Sequence, residues 1–110
     1  MNDTRLEKLQ EWLNSSPNDP FLIYAIGLEE LNNDLEKSKS YFDQLLKEFP
    51  EYLPTYYQAG KLYERFGLEE EALEIYEKGI TLGSEQKDMH AVSELRGAHQ
   101  FLRDELSDDW

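Results

Sequence analysis

The side chains of this sequence that could do chemistry are few. His90 and His99 are its two imidazoles and stand nine residues apart on one predicted helix. That spacing is neither an i,i+3 nor an i,i+4 ligand pair, so one metal ion is not expected between them, and both read as surface or half-buried structural residues. Glu69-Glu70-Glu71 is a short acidic run at a predicted helix start. Negative charge there complements the positive end of the helix dipole, which explains the run without a ligand. The calcium-loop pattern of alternating acids, a glycine and a distal glutamate is absent. The chain has no cysteine, no Gly-x-Ser-x-Gly elbow and no glycine-rich phosphate loop. With 24 acids in 110 residues, pairs of carboxylates arise anyway and single out no acid–base couple. The reading is a non-enzyme with no cofactor and no metal.

Composition narrows what these residues sit on. A chain of this length forms one domain, long enough to bury roughly 65% of the surface its unfolded form exposes. Aromatics at 13% supply bulk for a core, and charged residues at 32% cover the outside. No basic-then-apolar run opens the chain, and no apolar stretch approaches the roughly 20 residues of a spanning helix, so the cytoplasm is the expected compartment. The 11 Lys+Arg against 24 Asp+Glu give a formal charge of −13. Such a field repels phosphate backbones and anionic membrane surfaces, which argues against both as partners, and steers basic molecules favourably. Acidic, solvated helix faces also suffice to keep a small protein in solution.

The elements are helices throughout. Leu6, Leu9, Trp12 and Leu13 recur every three or four positions, the period of one helix face. Phe21 to Leu31 is apolar on most sides, as for a helix with neighbours on both flanks. Further stripes follow at Leu35, Phe42, Leu45, Leu46 and Phe49, then at Tyr56, Ala59, Leu62, Tyr63 and Phe66. The fifth comprises Ala72, Leu73, Ile75, Tyr76 and Ile80. The last runs through Val92, Leu95, Ala98, Leu102 and Leu106. Asp19-Pro20 predicts a capped helix start, Asn33-Asp34 a break, Pro54 another start, and Gly67 a left-handed helix stop. The Gly83-to-Asp88 stretch leaves two boundaries open, one at Gly83 and one near Lys87-Asp88.

The stripes repeat. Pro17 and Pro50 are 33 residues apart, as are Gly27 and Gly60, while Phe42 and Tyr76, and Leu46 and Ile80, are 34 apart. Within residues 53–84 stands Tyr56-x-x-Ala59-Gly60-x-x-Tyr63, then Gly67, then Ala72-x₃-Tyr76, with Ser84 where a proline is expected. Within residues 20–50 stands Ile23-x-x-Ile26-Gly27, then Ser38-x₃-Phe42 and Pro50, with Asn33 in the place of Gly67. This pattern resembles the tetratricopeptide repeat, whose signature is an aromatic, a Leu-Gly-like pair, a second aromatic, Ala-x₃-aromatic and a proline. The resemblance covers about residues 5–106. It implies an all-α array of helical hairpins, an α-α superhelix of about six helices. Residues 3–16 form an N-terminal capping helix, 20–50 and 53–84 two repeats, and 88–106 a C-terminal capping helix. Leu9, Leu13 and Pro17 stand where Phe42, Leu46 and Pro50 stand, so the first helix reads as the second half of an incomplete repeat. The last helix, through Val92, Leu95, Leu102 and Leu106, is expected to cover the Tyr76–Ile80 flank.

The resemblance implies a protein-interaction module that binds a peptide or protein segment on the concave face of its helices. By register that groove takes Phe21, Tyr24, Leu28 and Leu31 from the first repeat and Tyr57, Lys61, Glu64 and Arg65 from the second. The family's chaperone-binding members grip a carboxylate with a lysine and an asparagine, and those positions fall on Tyr24 and Leu28, so that clamp is missing. What remains suits a segment with a hydrophobic anchor and a nearby acid. The first helix could instead cover Phe21, Leu28 and Leu31. The alternative function is a self-associating structural protein, a homodimer joined through exposed aromatics such as Phe101, Trp110 or Tyr52.

Overall fold

The computed structural model describes residues 2–107. They form six helices: α1 (Asn2–Ser15), α2 (Pro20–Glu30), α3 (Leu35–Glu48), α4 (Pro54–Arg65), α5 (Glu69–Glu85) and α6 (Met89–Ser107). No strand occurs among the described residues. The all-α reading therefore holds, with helix ends within a residue or two of those expected. The chain divides into two compact units, residues 1–52 and 53–110, and the division falls where the second repeat begins.

In the first unit, α2 packs against both α1 and α3. Its start needs no help from tertiary structure. The Asp19 carboxylate accepts a hydrogen bond from the Phe21 amide at 3.0 Å, and Pro20 fills the first turn, where its missing N–H goes unnoticed. α3 begins the same way, with Asp34 accepting from the amides of Glu36 and Lys37 at 3.1 Å each. Gly27 faces the ring of Phe42, and a Cβ there would lie 3.0 Å from Phe42 Cε2. Beside it the fully buried Ser38 hydroxyl donates to the Gly27 carbonyl at 2.7 Å, so a polar group enters the hairpin without an unmet hydrogen bond. α1 lies on the other side of α2, where Leu9 packs with Leu22, Ala25 and Ile26, flanked by Leu6, Leu13 and Tyr41.

The second unit repeats the device and adds a helix. Gly60 faces Tyr76 even more closely, since a Cβ there would fall 2.2 Å from the Tyr76 ring. α4 ends on Gly67, at φ +75°, with Leu68 N donating to Tyr63 O and Gly67 N to Glu64 O. These are the two bonds of a Schellman stop. α5 does not end at Gly83. It runs to Glu85 and stops with the same bond pair, Asp88 N to Gly83 O and Lys87 N to Ser84 O, but with Lys87 in the left-handed position at φ +61°. The first repeat's turn is built differently, because Asn33 is not left-handed and the chain instead donates from Asn33 N and Asp34 N to Glu30 O. α6 packs on α5 and α4. Its Val92, Leu95 and Leu102 are buried. Leu106, expected on the same face, is exposed and does not share in the covering, because it falls near the end of the helix. Gly79 and Gly83 open the path for α6: a Cβ at Gly79 would sit 3.0 Å from Leu95 Cδ1, and one at Gly83 2.9 Å from Val92 Cγ2.

Candidate functional site

The eight residues expected to line a groove divide between the units, three on α2 with Leu31 at its C-cap, and four on α4. On α2, Phe21 is 58% exposed, while Tyr24, Leu28 and Leu31 are half-buried. Helix α1 covers Leu22, Ala25 and Ile26 and leaves most of Phe21 in solvent. Covering of Phe21 by the first helix, the alternative weighed above, is thus not what the fold does. Tyr24 is occupied within the unit, its ring meeting Phe42 and Tyr52 edge-on, each with centroids 5.8 Å apart. Burial first, and then the charge of Asp19, hold the Tyr52 phenol above its ordinary value.

On α4, Tyr57, Lys61 and Glu64 are half-buried and Arg65 is exposed. Glu64 is turned to a neighbour, accepting a hydrogen bond from the Tyr76 hydroxyl. Burial, that hydrogen bond, and the charges of Glu64 and Tyr57, in that order, push the Tyr76 phenol far above its ordinary value. Glu64 therefore serves Tyr76, which leaves Tyr57, Lys61 and Arg65 of the four expected on α4.

A surface cleft of about 430 Å³ lies between α1 and α2, edged by Arg5, Lys8, Trp12 and Phe21 over a floor of Leu9 and Ala25. The sequence reading missed Trp12, placing it with Leu6, Leu9 and Leu13 on one buried stripe. Trp12 and Leu13 are adjacent and so about 100° apart on the helix, too far for both to face one neighbour squarely. Trp12 is 56% exposed while Leu13 is partly buried against α2. That angular conflict is the signal which could have marked Trp12 beforehand.

Elsewhere the surface offers less. A depression of about 520 Å³ along α5 is bounded by Glu74, Glu77, Lys78 and Glu85. His99 contacts Glu77 at 2.9 Å and His90 contacts Glu94 at 3.4 Å, so the two imidazoles take separate partners. Among the described residues no three His, Asp or Glu side chains are grouped to hold a metal ion. No described helix is long and apolar enough to cross a membrane. Of the aromatics considered for self-association, Phe101 is 61% exposed. Tyr52 is not an exposed aromatic, since it is half-buried against Tyr24, and Trp110 lies outside the described residues.

Antiparallel helix pairs in which a glycine of one helix receives an aromatic of the next, recurring at 33 to 34 residues, define a helical-repeat protein. The tetratricopeptide repeat family model matches residues 53–83. A solution NMR structure of a tetratricopeptide repeat domain protein from Salinibacter ruber is 36% identical over 78% of this chain and 88% of its own, with a TM-score of 0.74. A crystal structure of a Salinibacter ruber tetratricopeptide repeat domain protein is 34% identical over 77% of this chain and 97% of its own, at a TM-score of 0.75. The crystal structure of MamA shares the fold at 15% identity and a TM-score of 0.65, over 97% of this chain and 70% of its own. No curated protein matches. This chain belongs to the tetratricopeptide repeat family. Members of that family are generally non-enzymatic scaffolds that mediate protein–protein interaction.

Proposed function

We propose that this protein is a cytoplasmic interaction module that receives a peptide or protein segment on the outward faces of α2 and α4, with no catalytic role. The observation that carries it is Phe21, a large aromatic side chain 58% exposed on a helix otherwise sunk in its unit. Leu28 and Leu31, both half-buried, follow Phe21 at seven and ten residues. Exposed apolar surface beside polar residues is characteristic of protein contact sites. The second unit offers Tyr57 with Lys61 and Arg65, which suits a ligand carrying acid next to an apolar anchor. The test is a pull-down from cytoplasmic extract, repeated with the double variant Tyr57→Ala, Lys61→Glu and with Phe21→Ser. Loss of the captured partner by at least one folded variant supports the reading. Capture at parental level by both would show that recognition uses another surface.

Self-association is the second reading, favoured by Phe101, which projects from α6 into solvent. Light scattering decides it, because a concentration-independent monomer mass leaves no homodimer to explain.

A further inference from the structure

We infer that the cleft between α1 and α2 is an anchor site for a protein segment bearing an apolar side chain followed, about one helical turn away, by a carboxylate. The inference rests on the interaction reading above, shares Phe21 with it, and adds Lys8, Leu9 and Trp12 of α1.

The geometry comes from the antiparallel crossing of the two helices. Arg5 pairs with Glu29 at one end of the cleft. Leu9 meets Ala25 in the middle, and Trp12 and Phe21 stand at the other end. The floor is dry, with Leu9 only 4% and Ala25 8% exposed. The rims are two large aromatic side chains, each more than half in solvent, an unfavourable arrangement unless something covers them. A single aliphatic or aromatic side chain of a partner, laid between the two rings onto Leu9 and Ala25, would remove both from water.

Charge selects the rest of the ligand. Arg5 and Lys8 are the only Lys or Arg residues before Lys37, against eight Asp or Glu residues in the same 36. Both cations line this one cleft. Arg5 is neutralised by Glu29, whereas Lys8 makes no ion pair among the described residues. Lys8 lies one turn before Trp12 on the same ridge of α1, so a carboxylate one turn from the anchor would reach it. A basic segment, which the overall charge would otherwise attract, meets the only two Lys or Arg residues before Lys37 and is disfavoured at this spot.

The experiment selects twelve-residue peptides from a random phage-displayed library on the full chain. Binding to every variant is then read by the fluorescence anisotropy of fluorescein-labelled peptide, and the Trp12 emission is followed in a Trp110→Phe background, where Trp12 is the sole tryptophan. The expected peptides carry an apolar residue with Asp or Glu three or four positions away, and shift the Trp12 emission to the blue. Trp12→Ala should weaken binding by about tenfold, as for an aromatic hot spot. Lys8→Glu should weaken it by roughly fivefold at low salt and less at high salt. Replacing the peptide's acid by lysine should restore binding to Lys8→Glu, while Lys78→Glu, the same charge change on α5, should leave it unaltered. Circular dichroism of each variant checks that it is folded. If the selected peptides bind Trp12→Ala and Lys8→Glu as tightly as the parent but lose the Tyr57→Ala, Lys61→Glu variant, this inference falls and the interaction reading survives. If no peptide is selected, both fall. If the parent is a dimer that Trp12→Ala dissociates, the cleft is a self-contact and the inference is overturned.

Discussion

Tyr76 shows what one residue contributes at three levels. Its ring fills the space that Gly60 leaves, its hydroxyl donates to Glu64, and both arrangements favour the neutral phenol. The sign of the pH effect follows. An unfolded tyrosine ionises near pH 10, and the folded one ionises only above that, so the folded state holds the proton longer. This stabilisation is complete below about pH 10 and declines as pH rises toward the folded value, by up to about 1.4 kcal/mol per pH unit. Urea midpoints measured between pH 9 and 11 should therefore fall more steeply for the parent than for Tyr76→Phe. Equal slopes would show that the phenol is not protected by the fold. Thr55 poses the converse case. It is fully buried and its hydroxyl has no hydrogen-bond partner among the described residues, so Thr55→Val removes an uncompensated polar group and should raise stability by about 1 kcal/mol in denaturant titration. A loss of similar size would mean that the hydroxyl is in fact satisfied.

Among the elements, α5 carries the densest set of constraints. Gly79 must accept both Tyr56 of α4 and Leu95 of α6, and a Cβ there would come within 2.6 Å of Tyr56 Cβ. That atom is fixed to the α4 backbone and cannot swing aside. Gly79→Ala should consequently force the helices apart and cost about 1–3 kcal/mol. Gly97→Ala, on the open side of α6, meets nothing within 4 Å and should stabilise by about 1 kcal/mol through helix propensity alone. Thermal melts of the two variants should thus move in opposite directions, and a common direction would refute the packing described for Gly79. Helix starts and stops made of proline, aspartate and left-handed glycine were legible in sequence, because Pro20, Asp19 and Gly67 act through their own backbones. The stop at Lys87 was legible only as one of two open boundaries, since lysine has no preference that announces φ +61°, and the bonds from Asp88 and Lys87 back into α5 hold it there. Gly79 was silent, as its role depends on two partners remote in sequence. The register of α2 located Phe21 and Leu28, but the side of α2 that α1 would cover, and hence the exposure of Trp12, is set by how the two helices cross.

For the molecule as a whole, α6 is a cover for the second unit. It buries Val92, Leu95 and Leu102, each worth roughly 1.5–3 kcal/mol, against helices that would otherwise present apolar surface to water. A chain cut after Gly83 should aggregate or melt without cooperativity. A monomeric fragment that unfolds as sharply as the full protein would remove the covering role. The recognition we propose uses Phe21 and Leu28 on α2, Tyr57 and Lys61 on α4, and the cleft that Trp12 and Lys8 form with α2. The most direct test is a ¹⁵N-resolved NMR titration of the full chain with a peptide selected on it. Amide shifts should concentrate in α1 and α2, extend to the Tyr57–Lys61 stretch of α4, and leave the outer residues of α6 from Arg96 to Arg103 unmoved. Shifts centred on Phe101 and its neighbours, with α1 and α2 unchanged, would contradict the assignment.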